Sequence, residues 1–66
     1  MGENLGYRIR KLREARGLNQ KQLAEKIGLT PCQISDYELG GRKPSIKTLE
    51  WLCEFFGVTA SDLLGF

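Results

Sequence analysis

The 66-residue chain has no histidine and only two cysteines. Without histidine, Cys/His zinc-finger spacing and histidine-based acid–base catalysis are both excluded. Long hydrophobic runs are also missing: nothing approaches the roughly 20 apolar residues of a membrane span. The N-terminus lacks the basic-then-apolar order of a signal peptide. Cys32 and Cys53 fall in separate helical patterns, and with nothing pointing to secretion they read as reduced thiols in a cytoplasmic protein. Strand-type alternation, internal repeats, low-complexity stretches and linkers are absent as well, so residues 1–66 read as one all-α domain. A chain of this length buries only about 60% of its unfolded surface, which leaves a small core. Neither a metal site, a cofactor nor a small-molecule pocket is inferred.

What is present is an uneven charge distribution. The net charge is +2, yet all ten Lys and Arg lie between Arg8 and Lys47. Residues 1–47 hold those ten against five Asp and Glu, and residues 48–66 hold only Glu50, Glu54 and Asp62. The asymmetry fits either a positive side that meets phosphates or an ordinary solvated surface.

Apolar spacing and start signals define five short helices. Leu5, Ile9 and Leu12 recur at helical spacing before Gly17. Asn19 is an N-cap with Gln22 three residues on, and Leu18 and Leu23 staple across it. That second helix buries Leu23, Ala24 and Ile27 and stops at Gly28. Thr30 caps a third, with Pro31 at its first position, Gln33 closing the box, and Leu29 and Ile34 as the staple. It runs to about Leu39 with Ile34 and Tyr37 inward, and ends at Gly40-Gly41. Arg42, Lys43 and Pro44 form a basic loop. A fourth helix starts near Ser45 and is expected to bury Ile46, Leu49, Leu52, Cys53 and Phe56. Thr59, Asp62, Val58 and Leu63 repeat the box and staple for a short fifth. Helices two and three, joined by a tight turn, make a helix-turn-helix over residues 20–39, and its second helix is of a size to enter a DNA major groove.

The pattern LREARGLNQKQLAEKIGLTPCQISDYELGGRKPSIKTL, followed by GVTASDLL, resembles the Cro/phage-repressor-type helix-turn-helix domains, the XRE family, over roughly residues 5–64. In the resemblance Ala24 is the small residue where the two motif helices approach. Gly28 is the turn residue needing positive φ, and Ile34 is the inward aliphatic. The resemblance implies a five-helix, lambda-repressor-like fold, sequence-specific binding to double-stranded DNA and transcriptional regulation, with repression by a dimer on a palindromic operator as the leading form. An antitoxin or protein-interaction module using the same domain is the alternative. An enzyme is not expected, since Cys32 is the only plausible nucleophile and has no histidine to activate it.

The family enters the groove with the N-terminus of the third helix, which makes Pro31, Cys32, Gln33, Ser35 and Asp36 the candidate base readers. Pro31 and Cys32 offer mainly apolar contact, as to a thymine methyl. Asp36 either accepts from cytosine N4 or is simply a solvated carboxylate. Gln33 either closes the box on Thr30 or reaches DNA. By the same resemblance Asn19 and Gln20 clamp the phosphate backbone, with Arg10, Thr30, Arg42 and Lys43 as further phosphate contacts. Arg13 and Glu38 each lie four residues past an inward isoleucine and flank apolar faces, and the resemblance implies a partly buried ion pair between them. Trp51 and Phe55, four apart and off the inward stripe, are either isolated surface aromatics or, with Leu64 and Phe66, a homodimer surface.

Overall fold

The computed structural model describes residues 5–64, which form α1 (Leu5–Ala15), α2 (Gln20–Ile27), α3 (Pro31–Leu39), α4 (Ile46–Phe56) and α5 (Ala60–Leu64). No strand occurs among the described residues. None of the helices is long and apolar enough to cross a membrane.

Local chemistry fixes the helix boundaries. The Asn19 side chain accepts from the Gln22 amide at 2.7 Å while Gln22 Oε1 accepts from the Asn19 amide at 2.8 Å. Thr30 and Gln33 make the same reciprocal pair at 3.1 and 2.9 Å, and Thr59 and Asp62 a third at 3.1 and 3.2 Å. Each box satisfies two amides that the first helical turn leaves without partners. At the turn inside the motif, Gly28 takes φ 76°, a left-handed conformation that costs a residue with Cβ, and its N–H donates back to the Ala24 carbonyl.

The core is one cluster. Ile9, Leu23, Ala24, Ile34, Leu52 and Leu63 are fully buried, and Tyr37 and Phe56 nearly so. α3 lies between α1 and α2, α1 also meets α5, and α4 closes the bundle against α2 and α5. This arrangement clamps one side of α3 and leaves the other outward.

The expected inward stripe of α4 needs correction at its start. Ile46 is 78% exposed, whereas Thr48 is buried. The Ser45 hydroxyl caps the helix through the Thr48 amide and also bonds the Thr48 side chain, which draws Thr48 inward. The buried line is then Thr48, Leu52 and Phe56, and at about 100° per residue Ile46 sits about 120° from its centre. The same rotation brings Phe55 inward. It is half-buried, packs on the core, and stacks edge-to-face on Phe56 at 5.2 Å between ring centres.

Candidate nucleic-acid interface

The outward side of α3 is presented by its neighbours' grip on the inward side. Ile34 and Tyr37 are anchored in the core, and Glu38 is tied down by charge. Its carboxylate accepts from Arg13 Nε at 2.7 Å and Arg13 Nη2 at 3.1 Å, with the two side chains only 5% and 11% exposed. Arg13 Nη1 donates further to the Leu18 carbonyl at 2.8 Å, so the fork joins α1, the α1–α2 loop and α3. Hydrogen bonding to Glu38 holds the Arg13 pKa above its ordinary value, against the opposing effect of burial. The ion pair implied by the family resemblance is present.

Gln20 belongs to the same network, a contact the sequence did not announce. Its Nε2 donates to Glu38 Oε1 at 3.1 Å and its side chain is half-buried. An amide nitrogen carries two hydrogens, so this bond leaves one for an outside acceptor. Gln20 thus braces α3 from the start of α2 and retains one donor at the surface. Asn19 is similar: its oxygen is committed to the cap, and its NH2 group is not needed there.

On α3 itself, Pro31 and Cys32 are exposed, and Gln33, Ser35 and Asp36 are half-buried. Gln33 closes the capping box, with Oε1 accepting from both the Thr30 amide and, at 3.3 Å, the Thr30 hydroxyl. Of the two roles open to it, the structural one is occupied. Thr30 is likewise committed through its oxygen. Asp36 does not stand alone: its Oδ2 lies 3.6 Å from Arg42 Nε. One residue expected at the bases and one expected at the phosphates are therefore paired with each other. Leu39, 82% exposed, extends this outward side toward the C-terminal end of the helix.

Arg10 is held across one turn by Glu14 at 3.0 Å, in a pair that is 62% and 44% exposed. The guanidinium lowers the Glu14 pKa, chiefly through their hydrogen bond. Such a solvated pair exchanges easily for another anion. Arg16 has a structural position: Nη2 donates to the Phe56 carbonyl at 2.9 Å, and the guanidinium lies 5.2 and 5.5 Å from the Phe55 and Phe56 ring centres. It thereby caps the C-terminal end of α4. No local spacing could have announced that contact, which spans 40 positions. Both cysteines are free, Cys32 exposed and Cys53 half-buried, and burial pushes the Cys53 thiol up.

The residues expected to form a dimer surface separate into two regions. Trp51 and Phe55 line one groove with Lys26, Ile27 and Glu54, and Lys47 Nζ lies 5.9 Å over the Trp51 ring. Leu64 lines a different groove with Leu5, Pro44 and Leu49. Phe66 lies outside the described residues.

A helix-turn-helix family model matches residues 9–63. The HTH-type transcriptional regulator DdrOP3 of Deinococcus deserti is 40% identical over 57 residues, covering 86% of this chain and 44% of that protein. The cryptic phage CTXphi transcriptional repressor RstR of Vibrio cholerae is 39% identical over 57 residues, covering 86% of this chain and 51% of its own. The chain thus spans about half the length of these curated relatives. Among solved structures, the P22 c2 repressor in complex with a synthetic operator matches with a TM-score of 0.89 at 25% identity over 96% of both chains. The restriction-modification controller protein C.AhdI from Aeromonas hydrophila matches with 0.82 at 32% identity over 91% of both.

Proposed function

Because the chain belongs to the helix-turn-helix family, we propose that residues 1–66 act as one domain that binds double-stranded DNA and regulates transcription, as a repressor dimer on a palindromic operator. It acts by occupying DNA in the cytoplasm, with no catalytic step. One observation carries this reading. α3 is locked on its Ile34, Tyr37 and Glu38 side while Pro31, Cys32, Ser35 and Asp36 face outward at the end that leads into a groove. Around it, Asn19, Gln20 and the first amides of α2 offer donors to one phosphate strand, and Arg42 and Lys43 flank α3 on the other side. Arg10 adds a cation from α1, released from Glu14 when a phosphate approaches.

The test is equilibrium binding to sites selected from random duplex DNA, repeated over a range of salt. Each phosphate neutralised by a cation contributes about −0.9 to the slope of log K against log salt, so Arg10, Arg42 and Lys43 together give about −2.7 per bound chain. A slope near zero would refute the phosphate clamp.

For the dimer, the exposed apolar material favours the α4–α5 side over the Trp51 groove. Phe55 is covered by Arg16 and Trp51 is 39% exposed beneath Lys47, whereas Ile46 is 78% exposed. Ile46 adjoins Leu49, Cys53, Val58 and Ala60 along a groove of about 570 Å³ that Glu50, Glu54 and Thr59 also line. A second copy covering Ile46 buries a side chain that otherwise stands in water. Ile46→Asp is expected to weaken binding to a palindrome about ten-fold, as loss of a central interface contact does. The melting temperature should hold, because a carboxylate at the first position of α4 suits the helix dipole. Sedimentation on palindromic and half-site DNA checks this; an unaltered 2:1 complex in the variant would place the interface elsewhere.

A further inference from the structure

We infer that Asp36 and Arg42 act as a linked pair that sets base preference at one position of the recognised site, the carboxylate selecting the base and the guanidinium making a carboxylate tolerable beside phosphates. The inference rests on the DNA-binding reading above and names the specificity of that same site.

An isolated carboxylate on a DNA-facing helix would be repelled by the phosphate strands. Asp36 is not isolated, and the reason lies in how α3 ends. Gly40 takes φ 83°, its N–H donates to the Tyr37 carbonyl at 3.2 Å, and the Gly41 N–H donates to the Asp36 carbonyl at 2.9 Å. Had the helix continued, Arg42 would stand about 9 Å further along the axis from Asp36. The left-handed turn instead folds the chain back and sets Arg42 Nε 3.6 Å from Asp36 Oδ2. The two side chains are 55% and 37% exposed, so the pair is solvated and free to be rearranged by a ligand. Arg42 faces the carboxylate through Nε, and its terminal nitrogens make no hydrogen bond among the described residues. A planar fork in that state binds two phosphate oxygens while its charge still offsets Asp36.

The chemistry then determines what Asp36 accepts. A carboxylate only accepts hydrogen bonds. In the major groove cytosine N4 and adenine N6 donate, whereas guanine N7 and O6 and thymine O4 accept. Asp36 therefore favours a base that presents its amine in the major groove and opposes the others through lone-pair repulsion. Cytosine is the better match, because adenine sets N7, a second acceptor, beside its amine. The preference comes as much from rejection as from attraction, and the guanidinium 3.6 Å away offsets the repulsion that phosphates would otherwise exert on the carboxylate.

The test uses site selection and equilibrium binding with the wild-type chain, Asp36→Ala, Asp36→Asn, Arg42→Gln and the double variant Asp36→Ala/Arg42→Gln, each checked by thermal melting. The wild type should discriminate about ten-fold or more against guanine or thymine at one position of each half-site. Asp36→Ala should lose that preference at that position alone and bind the formerly rejected sites more tightly. Asp36→Asn should shift the preference to adenine, the base an amide pairs with in two bonds. Arg42→Gln should weaken binding more in the wild-type background than in Asp36→Ala, since only in the former does it uncover a carboxylate. An Asp36→Ala motif identical to the wild type's would overturn the inference and leave DNA binding standing. Equal losses from Arg42→Gln in both backgrounds would overturn the linkage. If the wild type selects no motif at all, the DNA-binding reading fails and takes the inference with it.

Discussion

Glu38→Ala is expected to lower the stability of the domain by about 3–5 kcal/mol, the loss typical when one partner of a buried ion pair is removed. The carboxylate accepts three hydrogen bonds, two from Arg13 and one from Gln20. Removing it leaves the guanidinium of Arg13, a side chain 11% exposed in the intact pair, with the Leu18 carbonyl as its remaining hydrogen-bond partner. That cost is large against the total: at about 0.05–0.15 kcal/mol per residue, a 66-residue chain has about 3–10 kcal/mol in all. The thermal midpoint should therefore fall by about 12 °C or more. DNA affinity should fall with it even where the protein is still folded, because Glu38 ties α3 to Arg13 of α1 and Gln20 of α2. Glu38→Gln, which preserves shape and one acceptor, should lose less. Replacing both partners, as in Arg13→Met/Glu38→Met, should recover part of the loss, since no buried charge is then left unpaired. A melting midpoint for Glu38→Ala equal to that of the wild type would show that the pair braces nothing.

The contrast between what was legible in the sequence and what was not follows from the range of the interactions. The boxes at Asn19–Gln22, Thr30–Gln33 and Thr59–Asp62 are contacts three residues apart, and a helix start fixes their geometry wherever it occurs. The outward side of α3 was legible for the same reason, since Ile34 and Tyr37 fix its rotation. Ile46 is exposed where its spacing predicts burial because the rotation of α4 depends on which residue its neighbours bury, and the Ser45–Thr48 hydroxyl contact tips it toward Thr48. The site residues with the least legible roles are those with rival partners. Gln20, expected at a phosphate, also bonds Glu38, and Asp36 and Arg42, expected on different parts of DNA, lie beside each other. Spacing says which side of a helix a polar group occupies, but partners from other elements decide what it is bonded to.

Gly6→Ala is the second substitution expected to have a large effect, and it acts on the same joint between α1 and α3. Gly6 is a buried residue in the first turn of α1, and an isolated glycine within a helix carries no spacing signal for the contact it makes. A Cβ built there would lie 2.5 Å from the carbonyl oxygens of both Tyr37 and Glu38 and 2.9 Å from the Glu38 carbonyl carbon. A favourable C···O approach is about 3.3–3.6 Å, so the two helices must part by close to an ångström. None of the opposing atoms can rotate away, because all belong to the α3 backbone. Alanine is the better helix former by about 1 kcal/mol, and at an exposed position that gain would dominate. Here the steric term wins, with a net loss of about 1–3 kcal/mol, as for other overpacked interiors. The strain falls on Glu38, whose own carbonyl is displaced, so Gly6→Ala should also loosen the Arg13 pair, and its effect should shrink in a Glu38→Ala background. Gly41→Ala is the control: its Cβ would meet only the Asp36 carbonyl, at an ordinary 3.9 Å, and its melting midpoint should barely move. A rise in the midpoint for Gly6→Ala would mean that helix propensity outweighs the contact, and that α1 and α3 do not meet backbone to backbone at this glycine.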